Sequence, residues 1–272
     1  MKKVIEEEVF LHRLLTSHIR VLPDFIIIGA QRCGTTSLYN YLSQHPCVVP
    51  ALVKEVHFFD INFHKGIHWY RSHFPTFLEK YKQNIITGEA SPYYIFHPHA
   101  ARRIFKIIPQ VKLIVLLRNP VDRAYSHYHH EVRIGAETLS FEEAIEKESE
   151  RLKGEIKKML ENENYYSFNH QHYSYLSRGI YIDQIKVWMS LFPKEQILII
   201  KSEDFYANPS AVFRRVLEFL NLPIWEPKEY KKFNYANYPK MNPATRKRLI
   251  KFFEPYNQKL YEYLGVNFGW DR

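Results

Sequence analysis

Residues 29–37 combine glycine, hydroxyl-bearing and cationic residues at a spacing that suits the binding of a phosphate group. The stretch reads GAQRCGTTS, follows the apolar run 25–28 and leads into a segment with helical periodicity. A buried strand, a loop of small residues and a helix N-terminus together direct backbone N–H groups at an anion. Gly29 and Gly34 allow the backbone to approach closely because neither carries a Cβ atom. We therefore predict an anion site in this loop.

The loop differs from the nucleoside-triphosphate motif G-x-x-x-x-G-K-[ST] at one decisive position. Thr35 stands where that motif has its lysine, and Arg32 is the only cation inside the loop. The sequence therefore predicts a phosphate ligand whose charge is neutralised differently from that in an ATPase. The alternative is a strand–turn–helix unit without a ligand, but Arg32 and the hydroxyl groups of Thr35, Thr36 and Ser37 favour a ligand.

A carboxylate and an imidazole follow closely, in the segment KEVHFFD at 54–60. If this segment is extended, Glu55, His57 and Phe59 share one face. A carboxylate and an imidazole beside an anion site are candidates for proton transfer. Taken alone, these residues favour the alternative of an ordinary surface strand with a solvated Lys–Glu pair.

A second cation ends the clearest buried strand of the sequence, at 111–117. Arg118 follows this strand directly, and Ser126 lies in the predicted helix beyond it. A guanidinium and a hydroxyl placed in this way can hold a second phosphate from two sides. Glu89 and Ser91 lie at the end of another predicted strand, where functional groups of parallel sheets gather, and are further candidates for the site.

The elements that position these residues alternate between strands and helices. Strands predicted at 25–28, 84–92, 111–117 and 196–200 indicate an α/β fold with a mainly parallel central sheet flanked by helices. Residues 1–272 are expected to form one domain. Residues 1–20 are predicted as an accessory amphipathic helix, and 137–175 as a charged helix followed by a loop or lid over an acceptor site, with a solvated insertion as the alternative. The apolar residues expected to dock the first helix are Val9, Leu11, Leu14 and Leu15.

The composition limits the class of protein and of partner. The 272 residues are 46% hydrophobic, which excludes a disordered chain, and the net charge of +9 favours a polyanionic ligand or surface. No apolar run approaches the ~20 residues needed to span a bilayer. Because Cys33 lies in the phosphate loop, we expect no disulfide with Cys47 and hence a reducing, cytoplasmic location. The pair His64/His68 lacks a third ligand, so no metal is predicted.

These motifs resemble those of sulfotransferases that use 3′-phosphoadenosine-5′-phosphosulfate (PAPS), and most of all those of the heparan sulfate 3-O-sulfotransferases and their bacterial relatives. The resemblance extends from about 23 to 270. It is carried by GAQRCGTTSL at 29–38, KEVHFFD at 54–60, LRNPVDRAYSHY at 117–128 and the tail at 252–270. It implies a P-loop NTPase-like core, PAPS as co-substrate, adenosine 3′,5′-bisphosphate (PAP) as product, and no metal.

The resemblance also implies roles for single residues. Glu55 is the expected general base, His57 supports it, and Arg32 steadies the leaving phosphate. The implied nucleotide-binding residues are Arg32, Cys33, Gly34, Thr35, Thr36, Ser37, Arg118, Ser126 and Tyr181. With the two candidates from the strand end, the acceptor side comprises Glu55, His57, Asp60, Glu89 and Ser91.

The implied reaction is sulfuryl transfer to a hydroxyl or amine of a small-molecule or glycan acceptor. The chain departs from the resembled enzymes at Ala90, where they usually carry lysine, and at 234–238, where their loop is basic and this one reads NYANY. Three alternatives stay open: a P-loop nucleotide kinase, a non-catalytic protein that binds polyanions or nucleic acid, and an inactive PAPS-binding homologue. No nucleic-acid partner is expected because no recognition helix or stacking platform is visible. The sequence does not indicate the oligomeric state.

Overall fold

A parallel five-stranded sheet forms the centre of the molecule. The computed structural model describes residues 2–233 and 237–271, with side chains from residue 8 onward. The predicted α/β fold with a parallel central sheet is confirmed. The strands are β1 (Phe25–Gly29), β2 (Val48–Pro50), β3 (Ile86–Ala90), β4 (Lys112–Leu117) and β5 (Ile197–Lys201). Their order in the sheet is β2-β3-β1-β4-β5.

Helices cover both faces of this sheet, and several begin at capping residues that the sequence supplies. Thr76 with Glu79 and Ser140 with Glu143 form capping boxes at the start of two of them. The α-helices in the described residues are α1 (Lys2–Leu15), α2 (Thr35–Gln44), α3 (Gly66–Arg71), α4 (Phe77–Gln83), α5 (Ala100–Ile107), α6 (Pro120–Arg133), α7 (Phe141–Leu152), α8 (Glu155–Glu161), α9 (Phe168–His172), α10 (Tyr181–Met189), α11 (Ser202–Ala207), α12 (Pro209–Leu220) and α13 (Pro243–Leu264).

The two central strands are almost entirely buried, and their register brings three loops to one edge of the sheet. Every residue of β1 is buried, and β4 is buried from Leu113 onward. Ile27 is level with Ala90 on one side and Ile114 on the other. The carboxyl ends of β1, β3 and β4 therefore meet, and the phosphate loop (residues 30–34) lies between the segments that follow β3 and β4.

Two strand expectations need correction. β2 was not predicted, because a strand of three residues that ends at Pro50 is too short to show a periodic pattern. The segment expected to be a third core strand, β5, is instead an edge strand and is only partly buried.

The docking expected for the N-terminal helix is wrong for three of its four residues. Val9, Leu11 and Leu15 are exposed. The helix instead docks through Phe10, whose ring lies 5.4 Å from that of His73, and through Arg13, which donates hydrogen bonds to two backbone carbonyls. A long side chain with a cationic tip can dock a helix that apolar periodicity would orient differently.

Residues 141–175 form three helices rather than one charged helix and a loop: α7 packs on α6, α9 packs on α7, and α8 packs on α9. Gly154, with φ of +78°, separates α7 from α8. Phe141, Ile145 and Tyr175 are buried in a cluster shared with α6 and α13. The solvated-insertion alternative is therefore wrong for this part of the segment, whereas the lid role stays a prediction. None of the helices in the described residues has the length and apolar content to cross a membrane.

Candidate active site

A cleft of about 270 Å³ opens at the carboxyl edge of the sheet, between the phosphate loop and one face of α6. Six of the predicted nucleotide-binding residues line it, and four further residues that the sequence analysis did not select join them. The predicted ones are Arg32, Gly34, Thr35, Thr36, Arg118 and Ser126, and the others are Tyr206, Lys232, Phe233 and Tyr238. The structure thus brings most of the predicted phosphate-binding residues together in one cavity.

Gly34 sets the direction in which the N-terminus of α2 points. Its φ of +95° lies in the left-handed region that favours glycine, and α2 starts at the next residue. A Cβ atom at this position would lie 2.9 Å from the hydroxyl of Tyr206. The first turn of α2, with Thr35 and Thr36, therefore faces the cleft, so the positive end of the helix is directed there.

Two guanidinium groups converge on the same cleft. Arg32 Nε donates to Ser126 Oγ at 3.1 Å, and Arg118 Nη1 donates to the backbone oxygen of Arg32 at 3.4 Å. Within the described part of the chain, neither arginine forms an ion pair. Burial, and then the neighbouring charge of Arg133, lower the pKa of Arg32. Partly buried cations without a carboxylate are costly, and an anion in the cleft would offset that cost.

Three predicted nucleotide contacts lie behind the phosphate loop rather than in the cleft. Cys33 and Tyr181 are buried, with 3.9 Å between the thiol sulfur and the phenol oxygen. Tyr181 also donates to the backbone oxygen of Arg118 at 2.9 Å. Ser37 is buried and accepts a hydrogen bond from the backbone N–H of Phe233. In this structure Cys33 and Tyr181 therefore support the loop from behind, whereas Ser37 holds the segment at Phe233. Cys33 and Cys47 are both free thiols.

The segment before 234–238 supplies a cation that the sequence analysis missed. Lys232 lines the cleft, and its Nζ lies 5.9 Å from the centre of the Tyr206 ring. Of the loop noted for its lack of basic residues, 234–236 lie outside the described residues, and Tyr238 lies in the cleft with its ring stacked on His129 at 4.4 Å. The two consecutive lysines at 231–232 are the sequence feature that could have indicated this cation.

The predicted acid and imidazole are in contact, but not because they share the face of a strand. Residues 51–62, which we call the Glu55 loop, contain no helix or strand, and His57 has a φ of +54°. Glu55 Oε2 lies 3.1 Å from His57 Nε2, and His57 Nδ1 lies 2.7 Å from Asp60 Oδ2. Phe59, expected on their face, is buried in the core instead.

Contacts within this trio shift the pKa values of His57 and Glu55. Burial disfavours an imidazolium, but hydrogen bonds to Asp60 and Glu55 outweigh it and raise the pKa of His57 to about 10. Burial alone would raise the pKa of Glu55, yet hydrogen bonds from His57 and Lys54 lower it below its ordinary value. Near neutral pH, Glu55 is therefore ionised and can accept a proton.

Charges from the Glu55 loop and from the phosphate loop both act on His130 of α6, although no residue of the Glu55 loop lines the cleft itself. His130 on α6 has a pKa lowered by burial and influenced further by charges that include Arg32 and Glu55. His130 also accepts a hydrogen bond from Arg133 at 3.0 Å, which extends the basic surface along α6.

Glu89 and Ser91 do not line the cleft. Both are fully buried, and Ser91 donates to Glu89 at 2.7 Å while it accepts from the backbone N–H of His57. They lie beneath the Glu55 loop, out of reach of an acceptor in this structure. No group of three or more histidine, cysteine or acidic side chains in residues 2–233 and 237–271 is arranged to hold a metal ion.

Comparison with known proteins identifies the family of the chain. Residues 22–256 match the family model described as "Sulfotransferase domain". The chain is 30% identical to heparan sulfate glucosamine 3-O-sulfotransferase 5 of Mus musculus over 97% of its own length and 78% of that protein. It is also 30% identical to the membrane-associated sulfotransferase kil1 of Dictyostelium discoideum, over 92% of this chain and 66% of that one.

A solved structure extends the likeness to the fold. The crystal structure of a sulfotransferase from Alicyclobacillus acidocaldarius has a TM-score of 0.72 and 32% identity to this chain, covering 93% of it and 100% of the other chain. The P-loop NTPase-like core implied by the motifs is thereby confirmed.

Proposed function

The chain belongs to the sulfotransferase family, and we propose that it transfers the sulfuryl group of PAPS to a hydroxyl, or an amine, of a glycan or small-molecule acceptor. PAP is then the second product. The observation that carries the choice of donor is the convergence of Arg32 and Arg118 on one cleft beside a helix N-terminus. A nucleotide with phosphate groups at two positions of its ribose matches two separate cations better than a nucleotide with one phosphate chain.

The residues of the cleft fit such a nucleotide. The phosphate loop and the first turn of α2 would hold the 5′-phosphosulfate, while Arg118 and Ser126 would hold the 3′-phosphate. Lys232 adds a third positive charge at the cleft wall. Because Arg32 Nε is bonded to Ser126 Oγ, the two phosphate positions share a hydrogen-bond network.

The proposed chemistry follows from the charges of these residues. PAPS supplies an activated sulfuryl group on a phosphate leaving group, in a transfer that resembles phosphoryl transfer. Arg32 and the loop amides oppose the negative charge that develops on the leaving phosphate. Glu55 removes the acceptor proton at Oε1, which now contacts Lys54 at 3.1 Å, while His57 holds Oε2.

The relatives suggest what the acceptor is. Those named as heparan sulfate glucosamine 3-O-sulfotransferases favour a hydroxyl group on a glycan. The comparisons do not favour the nucleotide-kinase alternative, and Thr35 in place of the P-loop lysine also speaks against it.

The proposal is tested by incubating the protein with ³⁵S-labelled PAPS and a panel of glycan, phenol and amine acceptors. We expect label to pass to at least one hydroxyl acceptor, and PAP to bind more tightly than its 3′-dephospho analogue. We also expect transfer to persist in EDTA, because Arg32, Arg118 and Lys232 supply the positive field. Hydrolysis of ATP without sulfuryl transfer, or equal affinity for PAP and adenosine monophosphate, would overturn the proposal.

A further inference from the structure

Glu89, at the end of β3, is a buried carboxylate that the proposed chemistry does not use. It is fully buried, and in the part of the chain that the structure describes it forms no ion pair. Three hydroxyl groups donate to it: Tyr70 at 2.6 Å, Ser91 at 2.7 Å and Tyr94 at 3.1 Å. Burial of a carboxyl group costs free energy unless hydrogen bonds compensate for the lost hydration. We therefore asked what the three hydroxyl groups around Glu89 contact besides the carboxyl group.

Two of these three hydroxyl groups also hold the backbone of the Glu55 loop. Ser91 Oγ accepts from the backbone N–H of His57 at 3.1 Å. The Tyr94 hydroxyl accepts from the backbone N–H groups of Phe58 at 2.8 Å and Phe59 at 3.3 Å. These amides belong to a loop without a strand ladder, so the hydroxyl oxygens take the place of backbone acceptors.

The polarity of this network depends on the carboxylate. A hydroxyl group has one proton to donate, and an ionised carboxylate can only accept. When Ser91 and Tyr94 give their protons to Glu89, their oxygen lone pairs are left for the loop amides. A side-chain amide at the same position would instead offer N–H donors to one side of the network. It could no longer fix the direction of all three bonds.

We propose that Glu89 is a positioning residue for the proposed general base: through Ser91 and Tyr94 it orients the backbone of residues 57–59, and so the His57 ring that holds Glu55. The inference rests on the role proposed above for Glu55. The path is short, since Glu89 reaches the His57 backbone through one hydroxyl, and the His57 ring contacts Glu55 directly.

The left-handed backbone of His57 explains why such an anchor is needed. A φ of +54° is unfavourable for a residue other than glycine and persists only where the surroundings enforce it. Burial raises the pKa of Glu89 to about 7, and only the three hydroxyl donors oppose that rise. The hydroxyl groups thus keep the carboxylate available, and the carboxylate in turn keeps the hydroxyl oxygens available to the loop.

Two tyrosines provide a matched pair of variants. Tyr70 and Tyr94 are both fully buried and both donate to the same oxygen of Glu89, but only Tyr94 accepts from the loop. We expect Tyr94→Phe and Glu89→Gln each to lower kcat by about 10- to 100-fold, as a small misplacement of a catalytic group does. Tyr70→Phe removes one donor to Glu89 but no acceptor of the loop, so it should lower kcat clearly less than Tyr94→Phe does, by about threefold or less. All three should bind PAP with a Kd within about twofold of the unsubstituted protein.

Hydrogen exchange gives a readout that does not depend on turnover. The amides of His57 and Phe58 should exchange faster in Tyr94→Phe and Glu89→Gln, but not in Tyr70→Phe. If Glu89→Gln does not fold, the comparison of kcat and exchange rates between Tyr70→Phe and Tyr94→Phe is sufficient to test the proposal. Equal losses of kcat in Tyr70→Phe and Tyr94→Phe would show a general effect of the core and overturn the proposal, as would an unchanged kcat in Glu89→Gln. If the unsubstituted protein transfers no sulfuryl group, the proposed function fails, while the exchange measurement still tests the anchor.

Discussion

The two parts of the proposed site, which we call the nucleotide side and the acceptor side, are held in place by different means. The nucleotide side, with Arg32, Thr35 and Thr36, is formed by consecutive residues at a strand–helix junction. The acceptor side, the Glu55 loop, is held by hydroxyl groups 34 and 36 residues away in sequence. Local backbone geometry therefore defines the first side, and long-range side-chain contacts define the second.

The two sides also differ in charge. Arg32 and Arg118 lack carboxylate partners among the described residues, whereas His57 lies between two carboxylates and compensates them. A side with unbalanced charge is suited to binding an anion, and a side with internal balance is suited to holding a proton acceptor ready. Substitutions on the nucleotide side should thus change affinity, and those on the acceptor side should change turnover.

The sharpest test of this division is Glu55→Gln. The amide keeps the shape of the side chain but cannot accept the acceptor proton, so we expect kcat to fall by about 10²- to 10⁴-fold. The Kd for PAP, measured by calorimetry, should stay within about twofold. A kcat near that of the unsubstituted protein would remove Glu55 from the role of base. A large loss of PAP affinity would show that the two sides are not separable.

Arg118→Ala is the matching test on the nucleotide side. A charge-assisted hydrogen bond contributes about 1.5–3 kcal/mol, so the affinity for PAP should fall by roughly 10- to 100-fold. Binding of adenosine monophosphate, which lacks the 3′-phosphate, should change by no more than about threefold, because that phosphate is the group we assign to Arg118. Equal losses for both nucleotides would show that Arg118 acts elsewhere in the site.

The same contrast explains what the sequence allowed us to predict. The phosphate loop and Arg118 were predictable because short-range patterns specify them: a buried strand, a glycine that permits positive φ, and a cation at a strand end. Lys232 was missed because it reaches the cleft from a segment with no helix or strand around it, so no periodicity pointed to it.

The acceptor side was predicted in composition but not in geometry. Glu55 and His57 were correctly paired, yet the expected strand does not exist, since His57 turns the backbone and sends Phe59 into the core. Glu89 was selected as a residue near the site, whereas the structure buries it beneath the loop. Hydrogen bonds between distant segments decide these features, and no local pattern encodes them.

The raised pKa of His57, on the acceptor side, should also affect how the stability of the protein depends on pH. Because the pKa of His57 is raised to about 10 in the folded protein, its contribution to stability is fully present below its unfolded pKa of about 6.5. That contribution is lost as the pH rises toward 10. We expect the free energy of unfolding, measured by urea titration, to decrease over this pH range. The free energy of unfolding of His57→Gln should decrease less over the same range. Parallel pH profiles for the two proteins would show that His57 is not charged between its carboxylates.

The smallest expected effect tests whether the unbalanced charge of the nucleotide side extends to Lys232. Lys231 and Lys232 are neighbours of equal charge, but only Lys232 lines the cleft, while the backbone of Lys231 accepts a hydrogen bond from Tyr41. We expect Lys232→Ala to weaken PAP binding by about fivefold, the effect of a partly exposed ion pair worth ~1 kcal/mol, and this loss should shrink as salt is added. Lys231→Ala removes the same charge and keeps the backbone carbonyl, so its effect on Kd should be below about twofold. If both variants weaken binding equally, the affinity follows net charge rather than position, and the nucleotide side is less defined than its geometry implies.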